Sequence, residues 1–128
     1  MGRLLKDQDL VPDLIITSTA ERALTTAELV ALAADYEADI QVTRSFYHAD
    51  GEEYIDFLAA LDSAAGRIMV VGHNPGLEHL VNLLTGAWER MPTAALAQIE
   101  LPLDSWANLS VATTGRLVNL WLPRELQD

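Results

Sequence analysis

Hydrophobic and polar positions along this chain alternate between a strand pattern and a helix pattern. Short apolar runs predict strands over 14–17, 40–42, 67–71, 94–101 and 116–122. Apolar residues at helical spacing predict the end of a helix over 1–8 and full helices over 20–36, 52–64 and 76–85. Because strand and helix alternate through the first two thirds, we predict an α/β fold of three layers. A mostly parallel sheet would carry helices on both faces.

The strand over 68–71 is followed at once by Gly72 and His73. The next three residues, an Asn-Pro pair and a glycine, predict a turn that opens a helix. A histidine is thereby held at the carboxyl end of a strand, where open α/β sheets place ligands and where a helix N-terminus favours anions. We expect His73 to lie at the centre of a functional site. The alternative is a histidine that only caps the turn.

Arg22 lies just inside the helix that follows the first strand, and Ser18 is positioned to cap that helix. Neighbouring parallel strands end at one edge of a sheet, so we expect Arg22 at the same edge as His73. An arginine there can bind phosphate with paired hydrogen bonds. Together the two residues predict an oxyanion site. The alternative for Arg22 is a solvated helix residue paired with Glu21 or Glu28.

The composition narrows the class of protein. The 128 residues, half of them apolar, are enough for one globular domain over 1–128. Apolar runs far shorter than a membrane span and an N-terminus unlike a signal peptide predict a cytoplasmic protein that does not enter membranes. The absence of cysteine excludes disulfides and thiol catalysis. No cluster has metal-ligand spacing, and no Gly-rich phosphate loop is present.

The net charge of −11 comes from 8 basic and 19 acidic residues. Such a charge repels nucleic acid and anionic membranes, so neither is an expected partner. A small anionic substrate would need a local positive site set against this field.

Several motifs follow one another at characteristic spacing. Residues 18–28 fit the pattern Ser-x-x-x-Arg-Ala-x-x-Thr-Ala, and residues 70–76 read Val-Val-Gly-His-Asn-Pro-Gly. Segments 12–15, 91–96, 104–107 and 115–118 occupy fitting positions around them. In this order they resemble the histidine phosphatase superfamily, with its phosphoglycerate mutase-like fold, and in particular its small SixA-type phosphohistidine phosphatases. The resemblance covers nearly the whole chain.

The resemblance implies a two-step phosphoryl transfer without metal or another cofactor. A nucleophilic histidine attacks phosphorus to form a phosphohistidine, and water then releases phosphate. Arg22 would bind the phosphoryl oxygens and His73 would stabilise their growing charge. The residues expected to contact substrate are Ser18, His48, Asn74 and Thr93. The substrate would be a phosphorylated protein or a small phosphorylated molecule.

One departure from the family pattern is clear. The family's nucleophile lies in an Arg-His-Gly motif at the end of a central first strand, and this sequence contains no Arg-His pair. We therefore expect an N-terminally truncated domain that lacks this strand and is inactive alone. Two alternatives are a sheet that closes differently or associates through its unfilled edge, and a degenerate family member.

The sequence leaves two functions open. One is a phosphatase that, in its full-length form, hydrolyses phosphohistidine or a small phosphoester. The other is a non-catalytic module that binds phosphate or a phosphoprotein.

Overall fold

The computed structural model describes residues 2–122. Its helices are α1 (Gly2–Asp7), α2 (Glu21–Ala33), α3 (Gly51–Ala59) and α4 (Gly76–Thr85). Its strands are β1 (Leu14–Ser18), β2 (Ile40–Thr43), β3 (Ile68–Val71), β4 (Leu96–Glu100) and β5 (Arg116–Trp121). Every predicted strand and helix is present, so the α/β interpretation of the hydrophobic pattern is confirmed.

The chain forms two compact units. The first comprises Met1–Tyr47 and Ala65–His73, and the second comprises His48–Ala64 and Asn74–Asp128. The expectation of one domain over 1–128 stays a prediction.

The first unit is built on a three-stranded parallel sheet in the order β2-β1-β3. Ser18 of β1 lies opposite Thr43 of β2, and Thr17 lies opposite Val71 of β3. The three strands therefore end at the same edge. Because β1 is paired on both sides, residues 2–122 leave no gap beside it. Association through an unfilled edge stays a prediction.

Helix α2 covers one face of this sheet with small side chains. The apolar residues that recur at helical spacing in this segment are all buried: Ala23, Ala27, Val30, Ala31 and Ala34. Three of these alanines pack with Ile15 and Val71 in the core of the unit. Small side chains let the helix backbone approach the strands closely. This approach fixes where the first turn of α2 meets the sheet edge.

Helix α2 ends three residues earlier than the hydrophobic pattern suggests. Asp35 has a left-handed backbone, with φ of 58°, and the Tyr36 amide bonds back to the Ala31 carbonyl at 2.9 Å. A residue in this conformation closes a helix and turns the chain. The apolar Tyr36 lies beyond the helix, where its hydroxyl accepts the Ile15 amide at 3.1 Å.

The second unit pairs α3 with α4 and contains the antiparallel strands β4 and β5. Asp50 and Glu53 form a capping box that begins α3. The helix ends at Ala59 rather than at the predicted residue 64. Asp62 and Ser63 follow, and both have low helix propensity.

Two glycines allow the close packing within the second unit. A Cβ built on Gly76 would lie 2.0 Å from the Ala49 carbonyl oxygen, and one on Gly51 would lie 2.8 Å from the Leu80 amide nitrogen. Both distances are far below van der Waals contact, so neither position has room for a side chain.

None of the helices found in residues 2–122 combines the length and the apolar content that a bilayer crossing requires.

Candidate functional site

Ser18 and His73 meet at the carboxyl edge of the parallel sheet in the first unit. Ser18 is the last residue of β1, and His73 lies two residues beyond the end of β3. Because these strands are neighbours in parallel register, their ends converge. The Ser18 Oγ atom lies 2.8 Å from the His73 Nε2 atom, within hydrogen-bond distance. The structure thus brings together two of the residues that the sequence singled out.

The Ser18 side chain is completely buried, with 0 % exposure. Its Oγ atom accepts a hydrogen bond from the Ala20 amide at 3.2 Å. The expectation that Ser18 caps α2 is wrong, because the N-cap residue is Ala20 and no side chain caps this helix. Ser18 belongs to the strand, so its hydroxyl lies short of the cap position. The predicted direct contact between Ser18 and substrate stays a prediction.

Tyr47 packs against His73 and was not singled out from the sequence. The two rings meet edge to face, with centroids 6.0 Å apart and an interplanar angle of 81°. Such geometry is favourable for aromatic pairs. Tyr47 lies just past a 3₁₀ turn (Arg44–Phe46) that follows β2. The one signal in the sequence was an aromatic residue a few positions after a parallel strand. It is weak, because Tyr47 is more than half exposed.

Arg22 is the second residue of α2 and is exposed. Among the residues that the structure describes, neither Glu21 nor Glu28 forms an ion pair with it. The alternative interpretation of Arg22 as half of a surface ion pair therefore has no support in residues 2–122. Its guanidinium extends from the first turn of a helix, where backbone N–H groups and the helix dipole favour an anion.

The remaining predicted substrate contacts, His48, Asn74 and Thr93, lie in the second unit. The Asn74 side-chain amide donates to the Met91 carbonyl, which ties the start of α4 to the loop after it. Thr93 is exposed in a turn closed by a 2.9 Å hydrogen bond from Ala95 to Pro92. His48 is exposed and has a left-handed backbone, with φ of 60°. Their roles toward a substrate stay predictions.

His79 has a structural partner in the same unit. Its Nδ1 atom accepts a hydrogen bond at 3.0 Å from the amide of Gly51, the first residue of α3. This bond satisfies a backbone donor that the helix itself leaves unpaired. His79 itself is half-buried.

Within residues 2–122, no group of three histidine or acidic side chains is arranged to hold a metal ion. In the first unit, the observed contacts bring together a hydroxyl, an imidazole and an aromatic ring. The guanidinium of Arg22 belongs to the first turn of α2, and its place beside His73 stays a prediction. These groups can donate hydrogen bonds to an anion and carry one fixed positive charge.

Solved structures of SixA proteins share this architecture. A protein assigned as the phosphohistidine phosphatase SixA of Agrobacterium tumefaciens matches with a TM-score of 0.77 and 27 % identity, over 95 % of this chain and 75 % of that one. The protein histidine phosphatase SixA in complex with tungstate matches with a TM-score of 0.81 and 21 % identity, over 98 % and 78 % of the two chains.

This chain has a SixA-type histidine phosphatase fold. The α/β fold class expected from the resemblance is therefore confirmed. No family model and no curated protein matches the sequence. The SixA-type fold thus rests on the three-dimensional match, which spans nearly all of this chain.

Proposed function

We propose that this protein is of the histidine phosphatase type and acts as a phosphatase on the phosphoryl group of a phosphohistidine or a small phosphoester. Arg22 binds the phosphoryl oxygens, and His73 donates a hydrogen bond to them. The observation that supports this proposal most is the meeting of His73 with Ser18 at the carboxyl edge of the parallel sheet. Arg22 follows Ser18 by four residues, in the first turn of α2. The similarity to SixA structures supports the phosphatase type.

The negative net charge of the chain makes anion binding depend on the groups at the site itself. With a net charge of −11, the chain as a whole repels phosphate. Glu21, in the first turn of α2, adds to this repulsion. An anion held at this edge would therefore depend on the few groups that contact it. Arg22 supplies the positive charge there, and we expect its removal to have a large effect.

Tungstate is a suitable probe because it is a tetrahedral oxyanion like phosphate, and one of the matching SixA structures contains it. We expect isothermal titration calorimetry to show weak tungstate binding by the wild-type chain. Arg22→Ala should lower the affinity at least about tenfold, because hydrogen bonds to a charged group contribute roughly 1.5–3 kcal/mol each.

Arg67 offers a matched control for this experiment. It is an exposed arginine immediately before β3, at the amino-terminal edge of the sheet. Its guanidinium donates to the Asp9 and Val11 carbonyls. Arg67→Ala removes the same charge from the opposite edge, so we expect tungstate affinity to stay within about twofold of the wild-type value. An equal loss in both variants would show that Arg22 acts only through overall charge.

Binding without turnover is the second candidate function. The sequence contains no Arg-His pair, so the nucleophile motif of the family is not found in it. We expect negligible release of phosphate from a phosphohistidine peptide by the chain of residues 1–128, although the same peptide binds. Rapid hydrolysis that survives both His73→Ala and His48→Ala would place the chemistry on other residues.

A further inference from the structure

The loop after α4 holds an exposed tryptophan beside a small cleft in the second unit. The side chain of Trp88 is 75 % exposed, whereas tryptophan is a highly buried residue type on average. The cleft has a volume of about 250 Å³. Six residues from α4, the position before it and the loop line the cleft: Pro75, Glu78, His79, Trp88, Glu89 and Arg90. The proposed phosphatase function leaves this cleft without a role.

Both ends of the loop are anchored. At its start, Gly86 closes α4 with a left-handed backbone, with φ of 77°. At its end, the amide of the buried Met91 donates to the Glu78 carboxylate at 2.7 Å, and its carbonyl accepts from the Asn74 side chain. These anchors limit the positions that Trp88 can take. The indole is therefore held at the surface before a partner arrives, which lowers the entropic cost of binding.

The three residues between these anchors have no partner in the part of the chain that the structure describes. Trp88, Glu89 and Arg90 form no hydrogen bond, ion pair or ring contact with another residue of 2–122. Tryptophan is among the residue types that contribute most to binding at protein interfaces. The loop thus presents an indole and two charged groups to a partner.

The charges at the cleft favour a cation. Glu78 and Glu89 supply two carboxylates against the one guanidinium of Arg90. His79 adds no positive charge while its Nδ1 atom accepts the Gly51 amide. The chain as a whole carries a net charge of −11, so its field attracts positive groups to the surface.

The indole and the size of the cleft favour the same kind of ligand. The face of a tryptophan ring is the best aromatic partner for a cation. A volume of about 250 Å³ lies below the roughly 300–1,000 Å³ of small-molecule sites, so the cleft suits one long side chain. We infer that this cleft docks a lysine or arginine side chain from a basic segment of a partner protein. The inference goes beyond the proposed function and does not depend on it.

A peptide titration followed by proton–nitrogen NMR tests the inference. The probe is a capped peptide of three lysines separated by glycines, and its comparison peptides carry glutamine or glutamate in place of lysine. The indole N–H signal of Trp88 is assigned with Trp88→Leu, since the chain has three tryptophans. We expect only the lysine peptide to shift this signal in a saturable way. An unmoved Trp88 signal, or an equal shift with either comparison peptide, would overturn the inference.

Substitutions at the cleft should change the affinity for the lysine peptide in opposite directions. Trp88→Leu should lower it about two- to fivefold, the size of a cation–π contact at an exposed site, and Trp88→Tyr should keep part of it. Glu89→Gln should lower the affinity about twofold and Arg90→Gln should raise it about twofold, because exposed charge pairs are weak. The backbone amide signals of the loop report binding in every variant. Unchanged affinity in Trp88→Leu would contradict the inference.

Glu37→Gln is the matched control for charge. Glu37 is exposed and lies in the first unit. Its substitution changes the net charge as much as Glu89→Gln does, and the lysine peptide should still bind with nearly wild-type affinity. Equal losses in these two variants would show that the peptide responds only to overall charge, and weaker binding by Arg90→Gln would indicate an acidic partner. Either result would overturn the inference. Tungstate plays no part in these measurements, so the proposed function can fail while the inference stands.

Discussion

The first and second units each contain a histidine with a ring nitrogen in hydrogen-bond contact, but the partners at that nitrogen differ. In the first unit, the Nε2 atom of His73 meets the Ser18 hydroxyl at 2.8 Å. In the second unit, the Nδ1 atom of His79 accepts the Gly51 backbone amide at 3.0 Å. A hydroxyl can donate or accept, whereas a backbone amide can only donate. The partner of His79 therefore allows one protonation state at Nδ1, and the partner of His73 allows two.

This difference distinguishes a histidine whose bond has one possible direction from a histidine whose bond can run in either direction. His79 cannot gain a proton on Nδ1 without losing the bond to the start of α3. His73 can exchange the direction of its bond with Ser18 and keep a partner in either state. The comparison can be tested by substituting single residues in each unit.

The largest effect is expected where the second unit is most closely packed. Gly76→Ala would place a Cβ 2.0 Å from the Ala49 carbonyl oxygen, and the backbone must move to accept it. We expect a loss of about 3 kcal/mol or more in the free energy of unfolding, at or above the upper end for overpacking. Urea denaturation followed by circular dichroism measures it.

Gly86→Ala is the control for this substitution. Gly86 has φ of 77°, and a Cβ built there meets nothing within 4 Å. Only the left-handed conformation is then penalised, at about 1–2 kcal/mol. If Gly76→Ala cost no more than Gly86→Ala, the close approach of α4 to Ala49 would not contribute to stability.

A smaller loss is expected when the His79 acceptor is removed. His79→Leu leaves the Gly51 amide without its partner, which should cost about 1–3 kcal/mol. His79→Asn places an amide oxygen near the former Nδ1 position and should recover part of the loss. His73→Leu should remove tungstate binding, whereas His79→Leu should retain it, because His79 bonds to the start of α3. Equal loss of tungstate binding in both leucine variants would contradict the distinction between the two histidines.

The sequence predicted the strands and helices around the site better than the contacts of the side chains in it. Periodicity placed all the strands and helices, because apolar positions must face the core whatever the tertiary details. Parallel strands that end at one edge then brought Ser18 and His73 together. The sequence could not show that the Ser18 hydroxyl is buried and contacts His73 instead of capping α2. That depends on β1 continuing one residue further, through Ser18.

The contacts of Tyr47 and His79 could not be predicted from the sequence either. An aromatic residue after a 3₁₀ turn and a histidine inside a helix carry no distinctive local pattern. The contact of Tyr47 with His73 spans 26 positions and that of His79 with Gly51 spans 28, so both arise only when distant segments pack. The wrong end predicted for α2 had a local cause, the left-handed Asp35, which hydrophobic periodicity does not register.

The smallest expected effect on stability comes from the exposed ion pairs, which should depend on pH differently in the two units. In the first unit, the Lys6 ammonium bonds to the Asp35 carboxylate, and in the second the Arg116 guanidinium lies 3.2 Å from the Glu100 carboxylate. Hydrogen bonding to Asp35, with its charge, raises the pKa of Lys6 above the ordinary value of 10.5. A raised folded-state pKa means that the stabilisation is complete below pH 10.5 and is lost as the pH rises through the folded value. An arginine keeps its charge throughout this range.

Asp35→Asn should therefore lower the melting temperature slightly at about pH 8, and the difference from the wild type should disappear as the pH rises above 10.5. Glu100→Gln should give a similarly small difference that persists over the same range, because Arg116 does not titrate there. Both effects should shrink in high salt, since these side chains are exposed. Thermal unfolding from about pH 8 to about pH 11.5 measures both series. A constant Asp35→Asn difference up to the highest pH would show that Asp35 stabilises the first unit by a contact other than its charge pair with Lys6.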